Sequence, residues 1–257
     1  MIHILEPFHI KMRYLIFSDI HGNLEALRAV LESIKKSKID YYLFLGDIVG
    51  YGASPNEVIK EVSALKPITT IRGNHDKAVS NLEAIKTFNP IAAAAVYWTR
   101  DCLNKKHADF LKKLKKGSYI VNEEISICHG APFDEDFYIF GEFDAQEAFL
   151  HFKTPLCFFG HTHFPFVYVE KNHLVEGIYP SGETFEIKIE DKVRYLINPG
   201  SIGQPRDRNN RASCVIFDTE TRLLKFFRSD YDIKEAQRKI LAEDLPKALA
   251  ERLDLGI

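Results

Sequence analysis

Short apolar runs alternate with helix-period segments through the first half of the chain, and this alternation restricts the fold more than any other feature. The run from Tyr14 to Phe17 has the composition of a buried strand, and apolar residues then recur at helical spacing from Leu24 to Ile34. Asn23 stands where a helix cap is expected. Further apolar runs at 41–45 and 68–71 indicate two more strands of the same kind. The pattern predicts β-α units that build a sheet with helices packed on it.

The second half of the sequence is richer in strands. Residues 83–116 have helical character up to Gly117, after which short strand-like runs follow at 125–128 and 156–159. Period-2 segments continue to Phe227, and a helical tail begins near Ile233, with a break expected at Pro246. No linker composition or repeat divides the chain. We therefore predict one domain over residues 12–257 with two packed sheets, preceded by an extension at residues 1–11 to which no role is assigned.

Composition narrows the class of protein. The net charge is −2, from 34 basic and 36 acidic residues, so a general nucleic-acid-binding surface is not expected. No apolar run approaches the roughly 18 residues of a membrane helix, and the first residues lack the apolar core of a signal peptide. The four cysteines are far apart and form no disulfide framework or metal motif. These features favour a cytoplasmic protein that does not associate with membranes.

Metal-capable side chains follow five of the predicted strands. They are Asp19 and His21, then Asp47, then Asn74 with His75 and Asp76, then His129, and last His161 and His163. Ligands of open α/β sheets bind beyond the carboxyl ends of the strands, so five segments are expected to meet at one crevice. Residues two apart in an extended segment project to the same side, which lets each Asp-x-His or His-x-His pair reach one ion. Carboxylate, amide and imidazole ligands without a thiolate suit Mn, Fe or Zn.

The order of these motifs, Asp-x-His, Gly-Asp, Gly-Asn-His-Asp, His-Gly and Gly-His-Thr-His, resembles the calcineurin-like metallophosphoesterase superfamily. The stretches Val49-Gly50-Tyr51-Gly52 and 198–207 are similar to its compact bacterial and archaeal phosphodiesterase branch, which includes dinucleoside polyphosphate hydrolases. The likeness runs from about Met12 to Phe217. It implies a four-layer α/β/β/α sandwich with two packed mixed β-sheets, in agreement with the two sheets expected from periodicity.

The resemblance also implies a site with two divalent metal ions: Mn, Fe, Zn or a mixture. The implied ligands are Asp19, His21, Asp47 and His163 for one ion, and Asp47, Asn74, His129 and His161 for the other. His75 would protonate the leaving oxygen or stabilise its charge, and Asp76 would orient the His75 ring. The nucleophile would be a hydroxide bridging the two ions, because two cations lower the pKa of a shared water. No protein nucleophile is required.

Several residues have two readings. Arg206 could bind a substrate phosphate or form a surface salt bridge, and the same two roles are possible for Arg72. For Asn198 we favour a structural role in a turn over a role in the pocket. An aromatic and acidic segment lies between His129 and His161, and its rings could stack on a nucleobase or pack a loop against the sheet. Its aromatic residues are Phe133, Phe137, Tyr138, Phe140 and Phe143. We favour packing for most of them, and expect Cys128 to be a buried, inert thiol.

The function expected is a dinuclear-metal phosphoesterase, either a phosphodiesterase or a dinucleoside polyphosphate hydrolase acting on small nucleotide substrates. The alternatives are a phosphomonoesterase or protein phosphatase and, from another class, a non-catalytic scaffold with the same fold. An intact ligand set favours catalysis over a scaffold. A nuclease would call for a basic surface that the sequence lacks. The partner expected is therefore a small phosphorylated or nucleotide substrate, with neither a membrane nor a stably bound nucleic acid. The oligomeric state stays open.

Overall fold

The computed structural model describes residues 11–182 and 184–257, so the predicted extension lies outside the described residues except for Lys11. The strands are β1 (Arg13–Phe17), β2 (Tyr41–Phe44), β3 (Ile68–Thr70), β4 (Tyr119–Ile120), β5 (Ile125–Ile127), β6 (Leu156–Phe158), β7 (Phe166–Lys171), β8 (Leu174–Ile178), β9 (Thr184–Lys188), β10 (Arg194–Asn198), β11 (Ala212–Asp218) and β12 (Leu223–Ser229). The α-helices are α1 (Leu24–Ser33), α2 (Pro55–Ala64), α3 (Asn74–Ser80), α4 (Pro90–Cys102), α5 (Lys105–Lys112), α6 (Glu142–Phe149), α7 (Ile233–Ala242) and α8 (Lys247–Leu255). Short 3-10 helices occupy Lys35–Ser37 and Leu82–Thr87.

The strands form two six-stranded mixed sheets. The first sheet has the order β3-β2-β1-β11-β12-β9, and the second has the order β4-β5-β6-β10-β7-β8. In the first sheet β1, β2 and β3 are parallel, and in the second β5, β6 and β10 are parallel. The remaining pairs are antiparallel. Each sheet therefore presents the carboxyl ends of three parallel strands at one edge.

Side-chain alternation along the strands separates the layers. In β1, Tyr14 and Ile16 belong to the core between the two sheets, whereas Leu15 and Phe17 belong to the core under α1 and α2. On the outer face of the second sheet, Phe149 of α6 packs with a further buried cluster. The layers are thus helices, sheet, sheet and helix. The predicted α/β/β/α sandwich is confirmed.

Local signals place the helix boundaries. Asn23 caps α1 as predicted, because its side chain accepts a hydrogen bond from the Ala26 amide. The region expected to be helical at 83–116 is divided into the second 3-10 helix, α4 and α5. Asn89 and Asn104 start the last two by capping them in the same manner. Pro246 separates α7 from α8 as expected. Within the described ranges, no helix is long and apolar enough to cross a membrane.

Candidate metal centre

The loops that follow the parallel strands are bonded to one another through their backbones. In the first sheet the Asp19 amide donates to the Gly46 carbonyl at 3.0 Å, and the His21 amide donates to the Asp47 carbonyl at 3.0 Å. Across the sheets, the His161 amide donates to Asp19 Oδ2 at 3.2 Å. These bonds bring loops that are distant in sequence to a single edge. The crevice expected beyond the strand ends is therefore formed by both sheets together.

Two groups of potential metal ligands lie at this edge, and they share one residue. Asp19, His21, Asp47 and His163 form the first group, and Asp47, His129 and His161 form the second, with the ligand atoms of each group within 4.8 Å of one another. All of these side chains are buried. Asn74 adjoins the second group, because its Oδ1 lies 3.0 Å from His129 Nε2. The structure thus brings together all seven of the ligands that the resemblance implied. His161 and His163 lie in different groups, so the expectation that this pair reaches one ion is wrong; their positive φ angles show that the segment is not extended.

The backbone fixes the orientation of the imidazole rings. Nδ1 lies 3.1 Å from the Val49 carbonyl in His21, 2.9 Å from the Leu45 carbonyl in His129 and 2.7 Å from the Gln204 carbonyl in His163. A carbonyl only accepts, so Nδ1 carries the proton and Nε2 of the neutral ring is left as a ligand. His161 is reversed, because its Nε2 lies 3.1 Å from the Asp136 carbonyl and Nδ1 is left.

The donor atoms fit a divalent cation. Nε2 of His21 and Nε2 of His163 are 3.0 Å apart, so two lone pairs face each other unless positive charge lies between them. Beside them, Asp19 Oδ1 is buried without a hydrogen-bond partner, 3.3 Å from His163 Nε2. An unpaired buried carboxylate oxygen is costly. A cation bound by these three atoms would remove both penalties.

Electrostatics at the site favour added positive charge. Burial lowers the pKa of His129, but the carboxylates of Asp47 and Asp19 outweigh it and raise the pKa to about 10. The pKa of His161 is instead lowered to about 3, because the ring is buried and lies near the charge of His129. The carboxylates thus stabilise one proton among the rings. The same field attracts a metal ion, which competes with that proton for the ring nitrogens.

Five of the ligands have strained backbone. The φ angles are 55° for Asp19, 50° for His21, 59° for Asp47, 66° for His161 and 60° for His163. All lie in the left-handed region, which is uncommon for residues other than glycine. Strain of this kind costs about 1–3 kcal/mol per residue and persists where the surroundings enforce it, often at functional sites.

Gly73 and Gly160 allow the loops to approach the ligands closely. A Cβ at Gly73 would lie 2.0 Å from Asp47 Oδ1, and a Cβ at Gly160 would lie 2.1 Å from Ser18 Oγ and 2.8 Å from Asp19 Oδ2. Both positions therefore exclude a side chain. At these two positions glycine is required by the packing of the site rather than by a positive φ angle, whereas Gly46, directly before Asp47, also has a φ of 106°.

Asp76 does not have the expected role. Its Oδ2 accepts from the amides of Asp47 and Gly73 at 2.9 and 3.0 Å, and its Oδ1 accepts from the amides of Ile48 and Val49 at 3.0 and 3.3 Å. The expectation that Asp76 orients the His75 ring is therefore wrong. Asp76 is the third residue of α3 and turns back toward the helix cap, where it anchors the loop that carries Asp47.

His75 is held by ring packing instead. Its ring centroid lies 4.4 Å from that of Tyr51, 4.7 Å from that of His21 and 4.8 Å from that of Phe88, and Nδ1 is buried without a hydrogen-bond partner. Burial lowers the pKa of His75 to about 4. The ring is therefore neutral at pH 7. In that form it can donate one hydrogen bond to a group in the adjacent cleft.

The cleft beside the ligands has a volume of about 420 Å³. Asn74, His75 and His161 line it together with Tyr51, Phe88 and Tyr138. The Tyr138 ring stacks on His161 with centroids 3.8 Å apart, and Phe140 stacks on Tyr138 at 5.3 Å. Of the five aromatic residues that sequence analysis singled out, Tyr138 lines this cleft, while Phe133 and Phe137 pack on each other.

The structure also shows the surroundings of the residues for which the sequence allowed more than one role. Arg206 lies over the Tyr51 ring, 5.9 Å from its centroid, and donates to Gln204 Oε1, so its surroundings are not those of a surface salt bridge. Asn198 has the structural role that we favoured, because its Nδ2 donates to the Gly160 carbonyl at 2.8 Å. Arg72 pairs with Glu135. Cys128 is buried as predicted, and burial raises the pKa of its thiol well above the ordinary value.

Comparison with known proteins identifies the family. The family model described as "Calcineurin-like phosphoesterase superfamily domain" matches residues 12–222. The chain belongs to the calcineurin-like phosphoesterase superfamily. Membership of this superfamily and the clustered Asp and His side chains together indicate a divalent metal site and hydrolysis of a phosphoester.

Several relatives of this calcineurin-like phosphoesterase match over nearly the whole chain. An uncharacterized protein of Methanocaldococcus jannaschii is 38% identical over 253 residues, which cover 96% of this chain and 99% of the relative. The crystal structure of a metallophosphoesterase from Sphaerobacter thermophilus has a TM-score of 0.86 and 37% identity, covering 96% of this chain and 100% of that one. A hypothetical protein from Pyrococcus horikoshii OT3 has a TM-score of 0.78 at 22% identity, covering 95% and 98% of the chains, and shows the fold.

Two residues beside the metal centre were not assigned a role from the sequence. Tyr51 was noted only as part of a similar stretch, yet its ring contacts both His21 and His75. Arg252 of α8 reaches the same ring, although it lies beyond the part of the chain that matches the phosphoesterase family. The only local signal for Arg252 is its position next to the apolar face of α8, which buries Leu249 and Leu253.

Proposed function

We propose that the protein is a phosphoesterase that uses two divalent metal ions to cleave small nucleotide substrates, either phosphodiesters or dinucleoside polyphosphates. The observation that carries the proposal is the pair of buried ligand groups that meet at Asp47. A shared carboxylate between two such groups suits a pair of ions close enough to act on one phosphoryl group. When bound, two such ions lower the pKa of a shared water and clamp the phosphoryl oxygens during in-line displacement.

Side chains of the protein would position the ligand groups, donate a hydrogen bond to the leaving oxygen and bind a phosphate. Asp47, whose Oδ1 accepts from the His75 amide at 2.9 Å, holds the two ligand groups and the start of α3 in fixed relation. His75 borders the cleft as a neutral ring and would donate a hydrogen bond to the leaving oxygen. Arg206 would contact a phosphate through its planar guanidinium. Buried, preorganised donors of this kind stabilise developing charge without reorganisation.

The aromatic side of the cleft supports a nucleotide as the substrate. Tyr138 lines the cleft and stacks on His161, Phe140 stacks on Tyr138 with an interplanar angle of 3°, and both side chains are exposed. Every nucleobase offers a flat face to such a stack. A cleft of about 420 Å³ is within the usual range for small-molecule sites.

The native ion would be Mn, Fe, Zn or a mixture, since the ligands are nitrogen and oxygen atoms without a thiolate. The proposed location is the cytoplasm, where disulfides are rare. None of the four cysteines forms a disulfide: Cys102, Cys128, Cys157 and Cys214. The proposed partner is the substrate itself, with neither a membrane nor a stably bound nucleic acid.

A metal-dependent comparison of substrates tests the proposal. Protein stripped with chelator and then given Mn²⁺ would be assayed on bis(p-nitrophenyl) phosphate, diadenosine tetraphosphate, p-nitrophenyl phosphate and a phosphopeptide. We expect activity only with metal and a higher kcat/KM on the first two substrates. Clear preference for the phosphopeptide would favour a protein phosphatase. Inactivity on every substrate with metal bound would favour a scaffold.

A further inference from the structure

The loop of residues 131–140, which connects β5 to α6, lies against the second ligand group. Its Asp136 carbonyl is 3.1 Å from Nε2 of His161. A Cβ at Gly130, the neighbour of His129, would lie only 2.7 Å from two carbonyl oxygens of the same loop. The loop therefore bonds to one ligand of this group and packs tightly on the backbone beside another.

Glu135 ties the loop to the part of the chain that carries a third ligand, Asn74. Its carboxylate accepts two hydrogen bonds from Arg72, from Nε at 3.1 Å and from a terminal nitrogen at 2.8 Å, and one from Lys77 Nζ at 3.2 Å. Arg72 and Lys77 stand on either side of Asn74 in the sequence. The Glu135 side chain, which is only 5% exposed, thus holds both ends of the segment that presents Asn74.

The ion pair between Glu135 and Arg72 is suited to fixing the loop in one place. Burial alone would raise the pKa of Glu135, but the hydrogen bonds from Arg72 and Lys77 outweigh it and lower the pKa below its ordinary value. The carboxylate is therefore charged at pH 7. A guanidinium that donates two bonds to one carboxylate fixes orientation as well as distance, and breaking a buried pair costs far more than breaking a surface pair.

The imidazole rings of the first ligand group are oriented by other parts of the chain. Nδ1 of His21 and Nδ1 of His163 each face a main-chain carbonyl outside the loop, so both rings present Nε2 to the site. His161 presents Nδ1, because its Nε2 faces the Asp136 carbonyl of the loop. The orientation of His161 therefore depends on where the loop is held, whereas the orientations of the other two rings do not.

We propose that Glu135 is a positioning residue for the second ligand group. It holds the loop so that the Asp136 carbonyl stays against His161 and this ring presents Nδ1 to the second ion. The inference rests on the proposed function where it concerns two ions, and it makes the second ion alone dependent on a residue outside the ligand set. Removing the hydrogen-bond partner of a metal-bound histidine usually costs about 10- to 100-fold in metal affinity. An effect of that size is expected when Glu135 no longer holds the loop.

Metal titration of Glu135→Gln, which keeps the size of the side chain and removes its charge, tests the inference. Chelator-treated protein would be titrated with Mn²⁺ by calorimetry, and electron paramagnetic resonance would distinguish a coupled pair of Mn²⁺ ions from single ions. We expect one of two binding steps to weaken about 10- to 100-fold and the other to be retained, so that the spectrum of a coupled pair is replaced by that of single ions. Equal weakening of both steps, or no change in either, overturns the inference.

Arg72→Gln breaks the same ion pair with the opposite change of charge, and it also serves if Glu135→Gln does not fold. If Glu135 acted only through its charge, losing the nearby positive charge of Arg72 would strengthen Mn²⁺ binding. Positioning predicts that the same binding step weakens again, so stronger binding in Arg72→Gln overturns the inference.

Glu170→Gln is the matched control for a loss of stability. Glu170 accepts from two nitrogens of Arg194 and is largely buried, like Glu135. Arg194 is the first residue of β10, so this pair lies at the edge of the sheet opposite the ligands. Glu170→Gln should leave both binding steps unchanged. Weakening of the same single step in this variant would contradict a role specific to Glu135.

A measurement without metal separates this inference from the proposed function. In metal-free protein, NMR of the imidazole nitrogens shows which nitrogen of His161 carries the proton, with its signals assigned from His161→Gln. We expect the proton on Nε2 in the wild type and in Glu170→Gln, and a mixture of both tautomers in Glu135→Gln. Unchanged His161 signals in Glu135→Gln overturn the inference even if the wild type binds two ions. A changed tautomer in a protein that binds a single ion supports the positioning role and contradicts the two-ion function.

Discussion

Gly73→Ala is the change that most directly tests how the backbone positions the metal centre. Gly73 has φ −101° and ψ −179°, which alanine adopts without strain, so any effect must come from the added methyl group. That methyl carbon would lie 2.0 Å from Asp47 Oδ1 and 2.5 Å from the Asp47 amide nitrogen. Carbon and oxygen atoms in contact need more than about 3 Å, so the Asp47 carboxylate and the start of α3 must separate by about 1 Å.

The expected consequences are large for the site and moderate for the fold. A displacement of about 1 Å at a catalytic constellation can cost on the order of 100-fold in rate, and here the displaced group belongs to both ligand groups. Overpacking a buried position costs about 1–3 kcal/mol, and each kcal/mol lowers Tm by roughly 2–4 °C in a protein of this size. We therefore expect lower metal content, kcat/KM reduced about 100-fold and a Tm lower by several degrees.

Gly141→Ala is a matched control within the same chain. Gly141 also precedes a helix, has extended φ and ψ angles and has an aspartate, Asp144, at the third helical position. A Cβ at Gly141 meets nothing within 4 Å. Both variants carry the small cost of alanine at a helix cap, so their difference isolates the clash with Asp47. Metal content is measured by plasma mass spectrometry, Tm by calorimetry and kcat/KM with bis(p-nitrophenyl) phosphate. If Gly73→Ala matched Gly141→Ala in all three, the close approach of Gly73 to Asp47 would not control the site.

Three further substitutions and the removal of metal test the roles assigned to these residues. Asp47→Asn should lower metal content at both ligand groups, and retention of the wild-type content would show that Asp47 is not shared between ions. His75→Ala should leave metal content near that of the wild type while lowering kcat by about 10² or more, the usual cost of losing a preorganised hydrogen-bond donor to developing charge; loss of metal in this variant would contradict the role. Asp76→Asn should lower Tm more than His75→Ala does, because an amide cannot accept all four backbone N–H groups that the carboxylate accepts. Removing metal with a chelator should lower Tm, with recovery on addition of Mn²⁺, because only the folded ligand groups bind the ion; an unchanged Tm would argue against these groups as the metal site.

Local patterns in the sequence were sufficient to predict the two packed sheets and the side chains that meet as candidate metal ligands. Both are local properties: strand alternation separates Leu15 from Ile16, and a ligand placed directly after a strand reaches the sheet edge whatever follows. Helix caps such as Asn23 are equally local. The division of 83–116 into separate helices had such a signal too, because Asn89 and Asn104 have the cap residue type, but helical propensity across the region obscured it.

The contacts between groups from different parts of the chain could be seen only in the folded structure. The carboxylate of Asp76 binds the loop after β2 rather than its neighbour His75, because α3 points that side chain back toward its own cap. Arg252 lies 201 positions after Tyr51, and its place on that ring depends on how α8 packs against the rest of the protein. Such contacts follow from the stacking of complete layers, which no local pattern in the sequence encodes.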